Sequence, residues 1–264
     1  VRVVEAGADE LIQRLQAEGE QTEADVLITV DAARLNRAKS MDLLQSVSSE
    51  VLEERIPSHL RDREGQWYAL TKRARIIAYH NERSDRSILS TYEALAGGEF
   101  EDAIAIRSSS NVYNQSLLAS IIAHNGEEAA RQWAAGVVEN MARDPQGGDR
   151  DQLRAIAAGE ADYAVVNTYY IGQMLNSTDP QEREVGEQIG VFFPNQEGRG
   201  THVNVSGAGV TKHANNRENA VRLIEFLVSD RAQEQFAKAN YEYPVVEDVA
   251  LAPSVAAWGD FKED

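Results

Sequence analysis

The chain has 264 residues, 42% hydrophobic and 26% charged, enough to bury the core of one large α/β unit or of two lobes. A formal net charge of −17, from 43 acidic and 26 basic residues, argues against nucleic acid and anionic membrane as partners. There is no cysteine, which excludes disulfides, thiolate metal sites and cysteine nucleophiles, and no apolar run near the ~18 residues of a membrane span.

Strand-like and helix-like segments alternate. Val1-Arg-Val-Val4 reads as the middle of a strand, so the chain is expected to begin inside a longer protein. Residues 9–19 carry an apolar stripe of Leu11, Ile12 and Leu15 and stop at Gly19, as a helix does. Asp25-Val-Leu-Ile-Thr-Val30 is the apolar run of a parallel strand covered on both faces. Residues 67–79 are expected to be extended in two pieces around Lys72-Arg-Ala-Arg75. Ile104-Ala-Ile106 is a short strand, and residues 114–123 and 127–142 read as helices divided at Asn125-Gly126. Asp149-Arg-Asp-Gln152 has a helix-start pattern, Gly159 ends that helix, and Tyr163-Ala-Val-Val166 is the next strand. Residues 190–193 and 201–206 are further strands. Asn215-Asn-Arg-Glu218 opens a helix bearing Val221, Ile224, Leu227 and Val228, and residues 230–239 form the last helix. The alternation implies α/β layers with largely parallel strands. No Pro/Gly-rich linker divides the chain, so two lobes would be joined by strands that cross between them.

The adjacent Tyr169 and Tyr170 lie where a buried strand gives way to a helix, and Tyr113 lies at a similar junction. On its own a tyrosine pair is more often packing than a metal site. The five histidines are scattered without ligand spacing, and no P-loop, Gly-x-Ser-x-Gly elbow or His-Glu-x-x-His motif occurs. Gly207-Ala-Gly209 is a lone fragment of a dinucleotide pattern in the wrong context. Phenolate oxygen is therefore the most distinctive potential ligand, and several phenolates on one point suit a hard, highly charged cation, Fe(III) first.

A set of ordered motifs resembles the ferric-iron-binding substrate-binding proteins of bacterial ABC importers, closest to their tyrosine-rich, cyanobacterial-type branch. The markers are residues 24–35, Lys72-Arg-Ala-Arg75, residues 90–95, Ile106-Arg-Ser-Ser-Ser-Asn-Val-Tyr-Asn-Gln-Ser116, Val166-Asn-Thr-Tyr-Tyr-Ile-Gly172, residues 191–196, residues 199–210 and Asn240-Tyr-Glu-Tyr-Pro-Val245. The resemblance implies a two-lobed type II periplasmic-binding-protein fold, its lobes joined by crossing strands, with Fe(III) in the cleft. The first lobe would hold residues 1–72 and 203–245, the second 73–202 and 246–264. The paired tyrosine ligands fall on Tyr169 and Tyr170 and the additional one on Tyr113. Arg73 falls where relatives place an arginine near a synergistic anion such as carbonate. Val30, with Asp31 beside it, stands where one branch has a glutamate ligand. Relative to the family the chain is expected to be trimmed at both ends, including a segment that supplies a histidine or tyrosine.

Around that site, Arg107 is a second candidate for the anion, Ser108, Ser109 and Asn111 could offer backbone amides to it, and Asn167 could orient the tyrosine pair. The expected protein is not an enzyme. It is a monomer that works in the periplasm, or lipid-anchored outside the cytoplasmic membrane, with a permease as partner and no membrane insertion of its own. The alternatives are the same fold binding an oxyanion or small organic solute, and a hydrolytic enzyme.

Overall fold

A computed structural model describes residues 1–264. In chain order the elements are α1 (Ala8–Glu18), β1 (Val26–Val30), α2 (Ala32–Ser40), α3 (Glu50–Arg55), β2 (Tyr68–His80), β3 (Ile104–Ala105), α4 (Val112–Asn125), α5 (Glu127–Glu139), α6 (Asp149–Ala158), β4 (Tyr163–Asn167), α7 (Thr168–Leu175), α8 (Pro180–Gln188), β5 (Ile189–Phe192), β6 (Val203–Val210), α9 (Arg217–Leu227), α10 (Asp230–Gln235), β7 (Tyr243–Pro244) and α11 (Pro253–Ala256). Side-chain oxygens set many helix starts: Asp31 accepts from Ala33, Ser49 from Leu52, Asn111 from Tyr113, Asp179 from Gln181 and Ser229 from Ala232. Each satisfies an amide that the helix itself leaves without a partner.

The chain forms two compact units, Val1–Lys72 with Asn204–Leu251, and Arg73–Val203 with Ala252–Asp264. The boundaries fall inside β2 and at the start of β6. In the first unit β1 pairs antiparallel with β6, from Val26 opposite Val210 to Val30 opposite Ser206, and β7 pairs with the opening of β2. Ile12, Leu35, Leu52, Leu70, Ala208 and Ile224 are among the side chains that fill its core. In the second unit the far half of β2 pairs antiparallel with β4 and with β5, and β3 lies parallel to β4. Its core includes Ile77, Tyr92, Leu95, Ile121, Trp133 and Val165.

Four expectations are corrected. Residues 1–4 form no strand and are exposed. Residues 68–80 are one continuous strand of 13 residues, not two pieces, because partners on both sides keep its backbone hydrogen-bonded across the basic group. Strand pairing is mostly antiparallel, with only β3–β4 parallel among the strand pairs given above. An apolar run reports burial but not the direction of its neighbour, and β1 itself leaves Ile28 47% exposed. Finally, α6 is capped one residue earlier than its sequence pattern implies. Gly148 precedes it and donates its N–H to Asp151 at 2.7 Å, which leaves Asp149 to turn inward.

Gly207 and Gly209 have a packing role. A Cβ on Gly207 would lie 2.7 Å from both Tyr68 O and Leu35 Cδ1, and one on Gly209 would lie 2.5 Å from Gln66 O. Both positions lie on β6 against neighbouring backbone, which cannot retreat without breaking the sheet. Gly209→Ala is therefore expected to lower stability by about 1–3 kcal/mol, the usual cost of overpacking. Urea unfolding checks this, and an unchanged midpoint would refute the packing argument.

Candidate metal centre

All the tyrosines and arginines singled out above belong to the second unit. The strand β4 is buried along its whole length, and α7 follows it directly, so Tyr169 and Tyr170 occupy the first turn of that helix. Ala74 N–H donates to the Thr168 hydroxyl at 3.3 Å, which ties that first turn to β2. Tyr113 occupies the first turn of α4, where Asn111 Oδ1 accepts its N–H at 3.0 Å. The Tyr169 and Tyr113 hydroxyl oxygens are 3.3 Å apart. The rings of Tyr169 and Tyr170 are 4.2 Å apart at 37°.

Guanidiniums surround these rings. Those of Arg73, Arg75 and Arg107 lie 5.3, 5.9 and 5.4 Å from the centre of the Tyr113 ring, and that of Arg150 lies 6.0 Å from the Tyr170 ring. Cations over aromatic faces attract the ring quadrupole, more so when water is excluded. Arg73 and Arg75 are each only 2% exposed; two apart on β2, they point to the same face of the strand.

One carboxylate meets two of these guanidiniums, those of Arg75 and Arg107. Asp149 is fully buried. Its Oδ2 accepts from Arg75 Nη1 at 2.5 Å and from Asn167 N–H at 2.8 Å, and its Oδ1 accepts from Arg107 Nη1 at 3.1 Å. Arg75 Nη1 also donates to Asn167 Oδ1 at 3.3 Å, and Arg75 Nη2 to Asn114 Oδ1 at 2.7 Å. Asn114 Nδ2 in turn donates to the Arg107 carbonyl at 2.8 Å.

The structure thus brings together Tyr113, Tyr169, Tyr170, Arg73, Arg107 and Asn167. Ser109 is exposed and its carbonyl accepts from Gln115 Nε2, the Asn111 side chain caps α4, and the Asn111 N–H donates to the Ser108 carbonyl at 3.0 Å. Arg107 meets the surroundings with one carboxylate partner already in place. Sequence reasoning missed Arg75, Arg150 and Asp149 as members of the site. The alternation Arg73-Ala-Arg75 on a strand was the available signal for the first. Asp149 was hidden inside a helix-start pattern that serves Asp151 instead.

No group of three His, Cys, Asp or Glu side chains is placed to hold a metal ion, so phenols are the available hard oxygen donors here. Burial raises the Tyr169 pKa well above the ordinary phenol value, and the neighbouring Tyr113 adds to it. Burial likewise raises Tyr170. Both are therefore protonated at neutral pH.

A two-unit α/β chain with a half-buried array of phenols and guanidiniums has the build of a solute-binding protein. Residues 21–262 match the family described as bacterial extracellular solute-binding protein, and the chain belongs to it. It is 53% identical to Iron uptake protein A1 of Synechocystis over 264 residues, which is 100% of this chain and 73% of that protein. Among solved structures, it matches the ferric binding protein from Campylobacter jejuni with a TM-score of 0.96 at 49% identity, covering 100% of this chain and 84% of that one. It matches a Trichodesmium protein in complex with iron and citrate ligands with a TM-score of 0.97 at 47% identity, again over 100% and 84%. The type II fold and the resemblance to ferric-iron-binding proteins both stand on these relatives. No helix is long and apolar enough to cross a membrane.

The raised phenols make a statement about stability. The unfolded chain releases a tyrosine proton near the ordinary pKa of ~10, while folded Tyr169 holds its proton to higher pH. Its contribution is full below about pH 10 and is lost as pH rises further, because the unfolded state then binds fewer protons than the folded one. Tyr68, Tyr92 and Tyr163, raised by burial too, act with the same sign. The melting temperature of the metal-free protein is expected to fall from about pH 9 to about pH 11, less steeply in Tyr169→Phe. Equal slopes in the two proteins would remove Tyr169 from this account.

Proposed function

We propose that this protein captures Fe(III) outside the cytoplasmic membrane, in the periplasm, and hands it as a monomer to the permease of an ABC-type importer. The ferric ion is cargo, held by Tyr113, Tyr169 and Tyr170. The observation that carries the reading is the 3.3 Å approach of the Tyr113 and Tyr169 hydroxyls with the Tyr170 ring 4.2 Å from that of Tyr169, in surroundings that offer no cluster of histidine or acidic ligands. Similarity to iron uptake and ferric-binding proteins over the full chain supports the same cargo.

The chemistry follows from charge. Three phenolates formally neutralise Fe(III), and each must lose a proton to bind. The guanidiniums of Arg73, Arg75 and Arg107 lie around the Tyr113 ring. They leave room in the charge balance for an anion such as carbonate, or the citrate seen with the Trichodesmium relative, on Arg73 and Arg107. The two compact units act as the lobes of the type II fold, with their boundaries inside the strands β2 and β6.

Loading with ferric citrate is expected to give a visible phenolate-to-metal charge-transfer band. Tyr169→Phe combined with Tyr170→Phe should abolish it with little change in far-UV circular dichroism, since only two hydroxyls are removed. A band and iron stoichiometry unaltered in the double variant would rule these ligands out.

Acid acts through the same oxygens. The raised pKa of Tyr169 and Tyr170 means that protons compete strongly for the ligand atoms, so iron affinity falls as pH falls. Colour is expected to fade on mild acidification before the secondary structure is lost. Band and far-UV dichroism followed in one titration decide it: a single shared step would mean that unfolding, not ligand protonation, releases the metal.

A further inference from the structure

We propose that Asp149 is a positioning residue for iron capture: its buried carboxylate holds the three tyrosines at their mutual spacing before the metal arrives. The inference rests on the tyrosine site of the preceding section and assigns it the element that organises it.

Asp149 touches each segment that carries a tyrosine. Through its bond from Asn167 N–H at 2.8 Å it fixes the β4–α7 junction, two residues before Tyr169. Through Arg75, at 2.5 Å, it reaches Asn114 Oδ1, next to Tyr113, at 2.7 Å. Through Arg107, at 3.1 Å, it fixes the chain entering α4, where Asn114 Nδ2 returns to the Arg107 carbonyl at 2.8 Å. One carboxylate thus closes a loop of bonds between the Tyr113 turn and the Tyr169–Tyr170 turn.

Two observations speak against a purely structural role. The cap of α6 is made by Gly148 N–H and the Asp151 carboxylate, so the helix does not need Asp149. And burying a charge with its partners carries a desolvation penalty that an apolar filling of the same space avoids. What an apolar side chain could not do is hold two guanidiniums and a peptide N–H in fixed directions around the phenols. Ligands that are already in place when the metal arrives lose less freedom on binding.

Asp149→Asn keeps the shape. Its Oδ1 can still accept from Arg75 and Asn167, but its Nδ2 presents donors to Arg107. Asn114→Ala is a milder second variant that cuts the arm from Arg75 to the Tyr113 turn and its return to the Arg107 carbonyl, and leaves the Asp149 carboxylate in place. Both are loaded with ferric citrate beside wild type, and three quantities are followed: the charge-transfer band, iron loss to excess citrate, and the near-UV circular dichroism of the metal-free tyrosines. Asp149→Asn is expected to shift and weaken the band, to retain iron about 10–100-fold less well, as supporting residues of metal sites do, and to alter the metal-free tyrosine dichroism. Asn114→Ala is expected to change the band in the manner of Tyr113→Phe and to leave the remaining intensity. A folded Asp149→Asn protein with wild-type band, iron retention and tyrosine dichroism, even at a lower melting temperature, would overturn the proposal. If Asp149→Asn does not fold, a wild-type band and retention in Asn114→Ala would overturn it. The absence of any band in wild type would instead remove the tyrosine site itself, and this inference with it.

Discussion

A carboxylate with no exposed surface sits among the guanidiniums of the second unit, and the arrangement of the site depends on how it is satisfied. Taking an ion out of water costs several kcal/mol even after relaxation, and the cost is offset only where geometry is good and the lone pairs are met. Asp149 meets that requirement with Arg75, Arg107 and the Asn167 N–H. Arg75, just 2% exposed, has Asp149 as its carboxylate partner. Because their bonds are shared with Arg107, Asn114 and Asn167, the strand β2, the entry to α4 and the β4–α7 junction are fixed together. The phenols ride on the last two.

The local charge runs opposite to that of the chain. Overall the protein carries −17, yet the surroundings of Tyr113 hold three guanidiniums within 6 Å of its ring. Much of the acidity is spread over the surface, where it is solvated and screened. The arginines, by contrast, act at short range and in low dielectric, where a charge counts for more. For a ferric cargo this makes chemical sense, since guanidiniums beside the site can hold an anion through charge-assisted hydrogen bonds.

Much of the fold could be read along the chain. Apolar stripes such as Ile12 and Leu15 do face the core, and helices start and stop close to their caps, as at Asn111 and Gly126. Strand direction was not legible. A buried run such as residues 25–30 looks alike whether its neighbour runs parallel or antiparallel, and only β6 beside it decides. The helix expected over residues 230–239, which is followed by a short α11, was read too simply as well. It ends at Gln235 and continues as a wider turn to Asn240, a local change of hydrogen-bond pattern with no residue signature of its own.

What the sequence by itself determined is the chemistry on offer: tyrosines at two strand-to-helix or loop-to-helix junctions, no thiol, no ordered histidines, and motifs that match one family in order. Those are properties of residue type and spacing, and they survive without coordinates. Tertiary structure decided which groups meet. Residues 75, 107, 149 and 167 are far apart in the chain, and their mutual bonds arise only because β2 and β4 pair side by side and α6 packs against β4. A buried charge is chosen by its partners rather than by its neighbours in sequence, so Asp149 could look like a helix cap until the fold placed it against two arginines.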